Sequence, residues 1–249
     1  MTHVIPSPDD AHDLTRAVLR PARGYHAFEA CVEQLATTIR LGVYPRGTTL
    51  PPERELATRL NVSRSTLREA MAALRQAGLV ETRRGRGGGT VVTLKPRTPS
   101  ARAASRLTAA QRQDWLDALE FRRIVEPGAA ELAAGQRLGD TGRAQLEAAH
   151  ADVVAARKPA QHRQADSRFH LTVATLTGSP RVIEAVTSVQ ATLHEMLLAI
   201  PVLEANIGHS DRQHAALVRA ILAGDQERAG RVMTEHCDDT AALLRGLVG

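Results

Sequence analysis

The sequence predicts a mainly α protein in two parts: an N-terminal three-helix module closed by a β-hairpin, and a C-terminal all-α antiparallel helical bundle. Three observations predict it. Aromatic residues make up only 2% of the 249 residues while 43% are hydrophobic, so the cores must come from Leu, Ala and Val, which favours helices over a β-sandwich. Apolar residues recur at helical spacing through most of the chain. Only after Gly78 does the pattern change, to two short β-type runs.

Residues 1–24 are polar, carry three prolines and lack periodicity, so they read as a flexible arm. From His26 to Leu41, Phe28, Val32, Leu35 and Ile39 mark one helical face. G42-V-Y-P-R-G47 ends it. A short helix follows near Glu53–Leu60, with Pro52 suited to the first helical position, where a missing N–H is no loss. Asn61-Val62 is the turn. Ser63 is the expected N-cap of the next helix, which runs to about Ala77 and stops at Gly78. Leu79–Arg83 and Thr90–Leu94 form a hairpin around the basic tip R84-G-R-G-G-G89. Helix, helix, helix, hairpin is the order of a winged helix-turn-helix, placed at 25–95. Residues 96–112 read as a linker. The bundle, 113–249, is expected to hold helices near 113–137, 140–157, 160–177, 181–200, 209–223 and 226–246, with Pro127 kinking or breaking the first.

The formal net charge is +5, and it is unevenly spread. Residues 1–97 carry fifteen Lys and Arg against nine Asp and Glu, and the remainder seventeen against eighteen. A basic module on a near-neutral one implies a polyanionic partner for the first. No apolar run approaches the ~18 residues of a membrane span, and the first residues carry no apolar signal core. Cys31 and Cys237 are too few and too far apart for a disulfide framework, which fits a reducing, cytoplasmic location.

In the helix after Ser63, the residues Leu67, Ala70, Met71 and Leu74 fall at i, i+3, i+4 and i+7 and form the buried stripe. Arg64, Ser65, Thr66 and Arg68 then gather at its exposed N-terminal end. Arginine can grip guanine with two parallel hydrogen bonds, and hydroxyls can reach phosphate or a base edge. The helix N-terminus adds free N–H groups and partial positive charge. Arg54 opens the preceding helix. Arg83, Arg84 and Arg86 on the wing could enter a minor groove or touch backbone. The reading is a double-stranded DNA interface. At these residues the chain resembles the DNA-binding domain of the GntR family of bacterial transcription regulators. The resemblance lies in Y44-P-R-G-T-T-L-P-P-E-R-E-L-A57, L60-N-V-S-R-S-T-L-R-E-A-M-A-A-L-R-Q-A-G-L-V80 and R84-G…G89-T-V91. It implies operator contacts by Arg54, Arg64 and Arg68, with Ser63, Ser65 and Thr66 beside them and Arg84-Gly85 at the wing tip. Pro52 stands where Ser or Ala is more usual.

A second constellation lies in the bundle. Asp166 and His170, in D166-S-R-F-H170, share a helix face. His214 and His236 lie ten or eleven residues on either side of the Gly224-Asp225 break, so an antiparallel pair puts both roughly 15 Å from the turn, at one height. These four could close a cage for a divalent metal ion; imidazole and carboxylate suit Zn, Ni, Mn or Fe, and spacing does not choose among them. Alternatively, each is a hydrogen-bonded, half-buried side chain. Residues 113–246 resemble the FCD effector domain of the FadR-type GntR subgroup, through LEFRRIVEP (119–127), D166-S-R-F-H170, H214-A-A-L-V-R-A-I-L-A-G-D225 and His236. The resemblance implies that Asp166, His170, His214 and His236 are metal ligands and that the effector is a small carboxylate. It also implies an arginine for the acid, matched by Arg122; a surface ion pair of Arg122 with Glu126 at i, i+4 is the equal alternative. Arg123, Arg168 and His194 are weaker candidates, and Cys237 reads as a buried thiol. Two positions depart from the family pattern: Gly178-Ser179-Pro180 replaces Gly-Asn-Pro, and Gln213 stands where Glu usually precedes the His.

The implied function is a ligand-responsive transcription regulator, a homodimeric repressor on a palindromic operator. Two other readings compete: a metal-dependent enzyme with an accessory nucleic-acid-binding domain, and a bundle whose metal is purely structural. Against the enzyme, no carboxylate is placed as general base and no nucleophile motif or phosphate-binding loop is present.

Overall fold

A computed structural model of the chain describes residues 14–19, 21, 27–83, 89–95, 108–200 and 204–248. The chain divides into two compact units, Leu14–Pro96 and, from Arg97, the C-terminal remainder.

The N-terminal unit opens with a short helix, α1 (Leu14–Val18), and Val18 and Leu19 are buried. Within the expected flexible arm of residues 1–24, residues 14–18 are helical, and the rest of the arm apart from Leu19 and Pro21 lies outside the described residues. Leu19 joins the apolar cluster of this unit, and tertiary burial orders a turn too short for helical periodicity to reveal. Helix α2 (Ala27–Arg40) buries Cys31, Leu35, Ala36 and Ile39. Phe28, expected on that face, is 37% exposed. Helix α3 (Glu53–Leu60) begins one residue after Pro52, which occupies the N-cap without a side-chain bond. Asn61 turns the chain in the left-handed conformation, φ 53° and ψ 47°, one that Asn tolerates better than most residues. Ser63 caps α4 (Arg64–Gln76), its hydroxyl accepting from the Thr66 N–H at 3.0 Å. The stripe of Leu67, Ala70, Met71 and Leu74 is buried as the spacing predicts. Strands β1 (Val80–Arg83) and β2 (Gly89–Val92) pair antiparallel, Val80 opposite Val92 and Arg83 opposite Gly89. The free edge of β2 is taken by the segment before α3: Leu50 donates to Thr90 O at 2.8 Å and Val92 to Thr48 O at 3.0 Å.

The C-terminal unit is an all-α bundle of α5 (Ala109–Ala134), α6 (Asp140–Ala155), α7 (Pro159–Leu176), α8 (Pro180–Leu198), α9 (Glu204–Ala223) and α10 (Gln226–Val248). Helix α5 starts within the expected linker. Thr108 and Gln111 form a reciprocal capping box, Thr108 Oγ1 accepting from Gln111 N while Gln111 Oε1 accepts from Thr108 N. Pro127 neither breaks nor ends α5, which runs on to Ala134 with Pro127 buried. Packing of α5 against α8 and α10 outweighs the lost backbone bond. At Gly178-Ser179-Pro180 the glycine adopts φ 66° and Ser179 caps α8, so serine does the capping an asparagine would. Asp225 caps α10 after the Gly224 turn, accepting from Arg228 N at 3.0 Å, and α9 and α10 return side by side. Phe169, Val173, Leu146, Leu217, Ile221 and Met233 fill the centre, and Ala130, Ala133 and Ala134 join them from α5.

Candidate nucleic-acid head and candidate metal centre

The cap at Ser63 orders the head of α4. Its hydroxyl lies 2.7 Å from that of Ser65 and 2.8 Å from that of Thr66, so the three hydroxyls form one cluster at the helix start. Arg64, Ser65 and Arg68 are exposed, Thr66 is half-buried, and Arg54 is exposed on the first turn of α3. Arg59 pairs with Glu55 and Arg83 with Glu81. Among the described residues Arg54, Arg64 and Arg68 have no such carboxylate partner, so their charge is uncompensated and faces solvent. Arg84, Gly85 and Arg86 lie outside the described residues.

In the bundle, α7 presents Asp166 and His170 one turn apart, α9 supplies His214 and α10 supplies His236. The ring centroids are 5.3 Å apart for His170 and His214, 5.0 Å for His170 and His236, and 4.7 Å for His214 and His236. One ligating nitrogen from each lies within 4.8 Å of the other two. Three donors each about 2 Å from a common ion sit about 3.3–3.5 Å apart, so the set closes on an ion with a contraction of about 1–1.5 Å. Asp166 Oδ1 is 3.5 Å from His214 Nε2, and Asp166 Oδ2 is 4.0 Å from His170 Nε2. Phe169 supports the cluster from below, its ring 4.6 Å from that of His214. Burial, reinforced by neighbouring positive groups, holds His214 and His236 well below the usual imidazole range. Both rings are therefore neutral at pH 7, the form that ligates metal. Both ring nitrogens of His214 and Nε2 of His170 are buried without a hydrogen-bond partner, while His170 Nδ1 faces the Glu126 carboxylate at 3.0 Å. Desolvated imidazole nitrogens converging on one point fit a divalent cation.

A buried network backs the histidines. Glu126 Oε2 lies 2.9 Å from Arg122 Nε and 3.0 Å from His170 Nδ1, and Glu126 Oε1 accepts from Gln190 Nε2 at 2.5 Å. Burial opposes the Glu126 charge, but Arg122, His170 and Gln190 outweigh it and hold the carboxyl well below the usual carboxylate range. The Cys237 thiol sits 3.7 Å from Glu126, and burial pushes it up to about 12, so it stays protonated, as its expected role as a buried thiol requires. On α10, His236 Nδ1 meets Gln213 Oε1 at 3.1 Å. Beside the cluster opens a cavity of about 90 Å³. Arg122, His162, Arg163, Asp166 and His236 form its polar side, while Leu193, Leu197, Ile200, Ile207 and Leu243 form an apolar wall.

Residues 28–92 match the family described as bacterial regulatory proteins, gntR family, and residues 117–239 match the FCD domain. A protein of Mycobacterium gastri named as an HTH-type transcriptional regulator, RmpR, is 36% identical over 84% of this chain and 76% of its own length. The chain belongs to the GntR family. It is a transcription regulator with a winged DNA-binding domain and an FCD domain, in keeping with the FadR-type subgroup. The HTH-type transcriptional repressor NanR of Klebsiella aerogenes is 29% identical over 97% of this chain and 95% of its own length. Escherichia coli McbR/YncC shares the fold at 16% identity, with a TM-score of 0.55 over 91% of this chain and all of that one. The relatives named here are regulators, not enzymes. Among the described residues no helix is long and apolar enough to cross a membrane.

For this GntR-family chain, Asp166 and His170 lie on α7, His214 on α9 and His236 on α10, and the fold brings the four side chains near one another. The surface pairing considered for Arg122 is corrected: it does pair with Glu126, but both side chains are 1% exposed. Charged residues at i, i+4 look like a solvated face, whereas here they point into the bundle. Arg122 Nη1 has no hydrogen-bond partner and borders the cavity. Two weaker candidates are engaged elsewhere: Arg123 pairs with Asp238 at 2.6 Å and Arg168 with Asp152 at 3.1 Å. His194 is buried on α8 and does not line the cavity. Sequence reasoning missed Glu126 as a buried anion, and it missed Gln190 and His162. The spacing of Glu126 from Arg122 was a usable signal; nothing local marks Gln190.

Proposed function

We propose that this GntR-family regulator is a repressor whose operator affinity is set by a small carboxylate bound in the FCD bundle beside a divalent metal ion. The observation that carries the reading is that one cavity is bordered by Arg122, Asp166 and His236 together, with Arg122 Nη1 buried and without a hydrogen-bond partner. Asp166, His170, His214 and His236 would hold the ion. Such an ion, when bound, supplies a fixed positive charge able to accept an anionic oxygen. The guanidinium of Arg122, held in place by Glu126, supplies directional N–H donors for a carboxylate. Leu193, Leu197 and Ile207 exclude water from the rest of the molecule, which strengthens those contacts. Arg54, Arg64 and Arg68, with Ser65 and Thr66, meet DNA, while Ser63 fixes the helix start. Arg84 and Gly85, which lie outside the described residues, are assigned to the same DNA contact by the family pattern. Two heads in a homodimer would match a palindromic operator. The effector shifts DNA binding only by its differential affinity for the two states.

The test combines two measurements. Thermal unfolding of the protein with a panel of small carboxylates, with and without Zn²⁺, Ni²⁺ or Mn²⁺, should yield a metal-dependent rise for some acids. Those acids should then weaken binding to the protein's operator fragment. His170→Ala should abolish the response while leaving DNA binding by the free protein intact. Stabilisation by acid that is unaltered by His170→Ala, or no salt-sensitive binding to duplex DNA, would refute the reading.

A further inference from the structure

We infer that Gln213 is a positioning residue that fixes the tautomer of His236, and so decides which ring nitrogen His236 offers to a cation; the inference rests on the metal reading above. Gln213 is half-buried on α9, one residue before His214, and it reaches across to α10. Its Nε2 donates to Asp239 Oδ2 at 2.7 Å, and the same oxygen lies 2.9 Å from His209 Nε2. A carboxylate accepts and does not donate. Asp239 therefore takes the amide nitrogen and turns the amide oxygen toward His236 Nδ1, 3.1 Å away. That oxygen also only accepts, so Nδ1 must carry the proton. A neutral imidazole carries one N–H, which leaves Nε2 with a bare lone pair before any ion arrives.

Released from this clasp, His236 could place its proton on Nε2, presenting a donor where a ligand needs a lone pair. A glutamate at this position would accept the same bond and also raise the ring's basicity through its charge. Glutamine keeps the orientation without the charge. The bundle thus backs its ligands unequally: His170 Nδ1 faces the buried carboxylate of Glu126 at 3.0 Å, while His236 faces a neutral amide.

Nitrogen-15 correlation spectra of metal-free, full-length protein distinguish a protonated ring nitrogen from a bare one, and competition against a chelator gives the Zn²⁺ affinity. Wild type should show His236 protonated on Nδ1. Gln213→Leu should lose that preference and weaken Zn²⁺ binding about 10- to 100-fold. The double variant Gln213→Glu, Asp239→Asn restores an acceptor with a donor behind it, and should recover both the tautomer and the affinity. Asp239→Ala, which frees the amide to turn, should behave as Gln213→Leu and serves if that variant does not fold. A wild-type His236 protonated on Nε2 would overturn the inference, as would Gln213→Leu with unchanged tautomer and Zn²⁺ affinity. Wild type protonated on Nδ1 but binding no Zn²⁺ would uphold the tautomer and defeat the metal reading.

Discussion

Glu126→Leu is the substitution with the largest expected effect on the bundle. Glu126 and Arg122 side chains are each 1% exposed, and their ion pair spans 2.9 Å. Removing the carboxylate leaves a guanidinium buried without its counter-charge, a change that costs about 3–5 kcal/mol. At about 2–4 °C per kcal/mol for a domain of this size, the unfolding transition of the C-terminal unit should fall by roughly 10 °C. Circular dichroism melts and urea titrations of metal-free protein would read it. Removing both partners, as Arg122→Met with Glu126→Leu, takes away the stranded charge and should recover much of the loss, since replacing a whole buried pair by apolar side chains is often neutral or stabilising. Because the folded-state carboxyl is held below its ordinary range, the contribution of Glu126 is present above the unfolded-state pKa of about 4.3 and lost only as pH falls through the lowered value. The deficit of Glu126→Leu should therefore be constant from about pH 5 to pH 8. A loss under about 1 kcal/mol, or a double variant no more stable than Glu126→Leu, would refute this account of the pair.

The remaining expectations concern the head and the histidines. Arg64→Ala should cost about 1–3 kcal/mol of discrimination between operator and altered sites if Arg64 reads a base, measured by competition binding at fixed salt. Ser63→Ala should destabilise the N-terminal unit by about 0.5–2 kcal/mol, with Ser63→Asn retaining most of the stability; thermal unfolding decides. His214 and His236 have lowered folded-state values, so the unfolded chain binds their protons first. Stability of the metal-free protein should fall as pH drops below the unfolded-state value of about 6.5, by up to about 1.4 kcal/mol per pH unit for each histidine. Urea titrations at several pH values would show this slope, and His236→Gln should reduce it.

The sequence makes the helical architecture legible where burial follows periodicity. The stripe from Leu67 to Leu74 could be read because the other face of α4 is uniformly polar, and Ser63 because a cap needs only a hydroxyl and its N–H partner. The four-residue cluster was legible through spacing: i, i+4 on α7 and near-equal distance from the Gly224 turn place donors without knowledge of packing. Helix α5 was legible as a helix, but the side it buries was not. Its buried face carries Arg122 and Glu126, while Ile124 is 73% exposed and Leu132 50% exposed. A charge that is satisfied inside and an apolar residue left outside both invert the pattern, and only tertiary contacts reveal the inversion. The T108-A-A-Q111 capping box was present in the sequence and marks the true start of α5; the alanine- and arginine-rich run before it drew the linker too long.

The buried nitrogens of His214 yield the sharpest test of whether the bundle is built for an ion. His214 is 1% exposed, both its ring nitrogens lack hydrogen-bond partners, and its Nε2 lies 3.5 Å from Asp166 Oδ1. A buried, unsatisfied polar group costs about 1–3 kcal/mol, so a side chain retained only for packing would do better as an apolar one. Leucine at this position keeps an apolar side chain against Phe169 and removes the unsatisfied atoms. His214→Leu should therefore leave the metal-free protein as stable as wild type or more stable. It should also eliminate stabilisation by Zn²⁺, which for wild type reaches about 2.7 kcal/mol at an ion concentration 100 times Kd. Paired melts of both proteins, with chelator and with Zn²⁺, separate the two effects. If His214→Leu destabilised the chelated protein by more than about 1 kcal/mol, the ring would be contributing through hydrogen bonds in the metal-free fold, and the case for nitrogens held in readiness for a cation would fail.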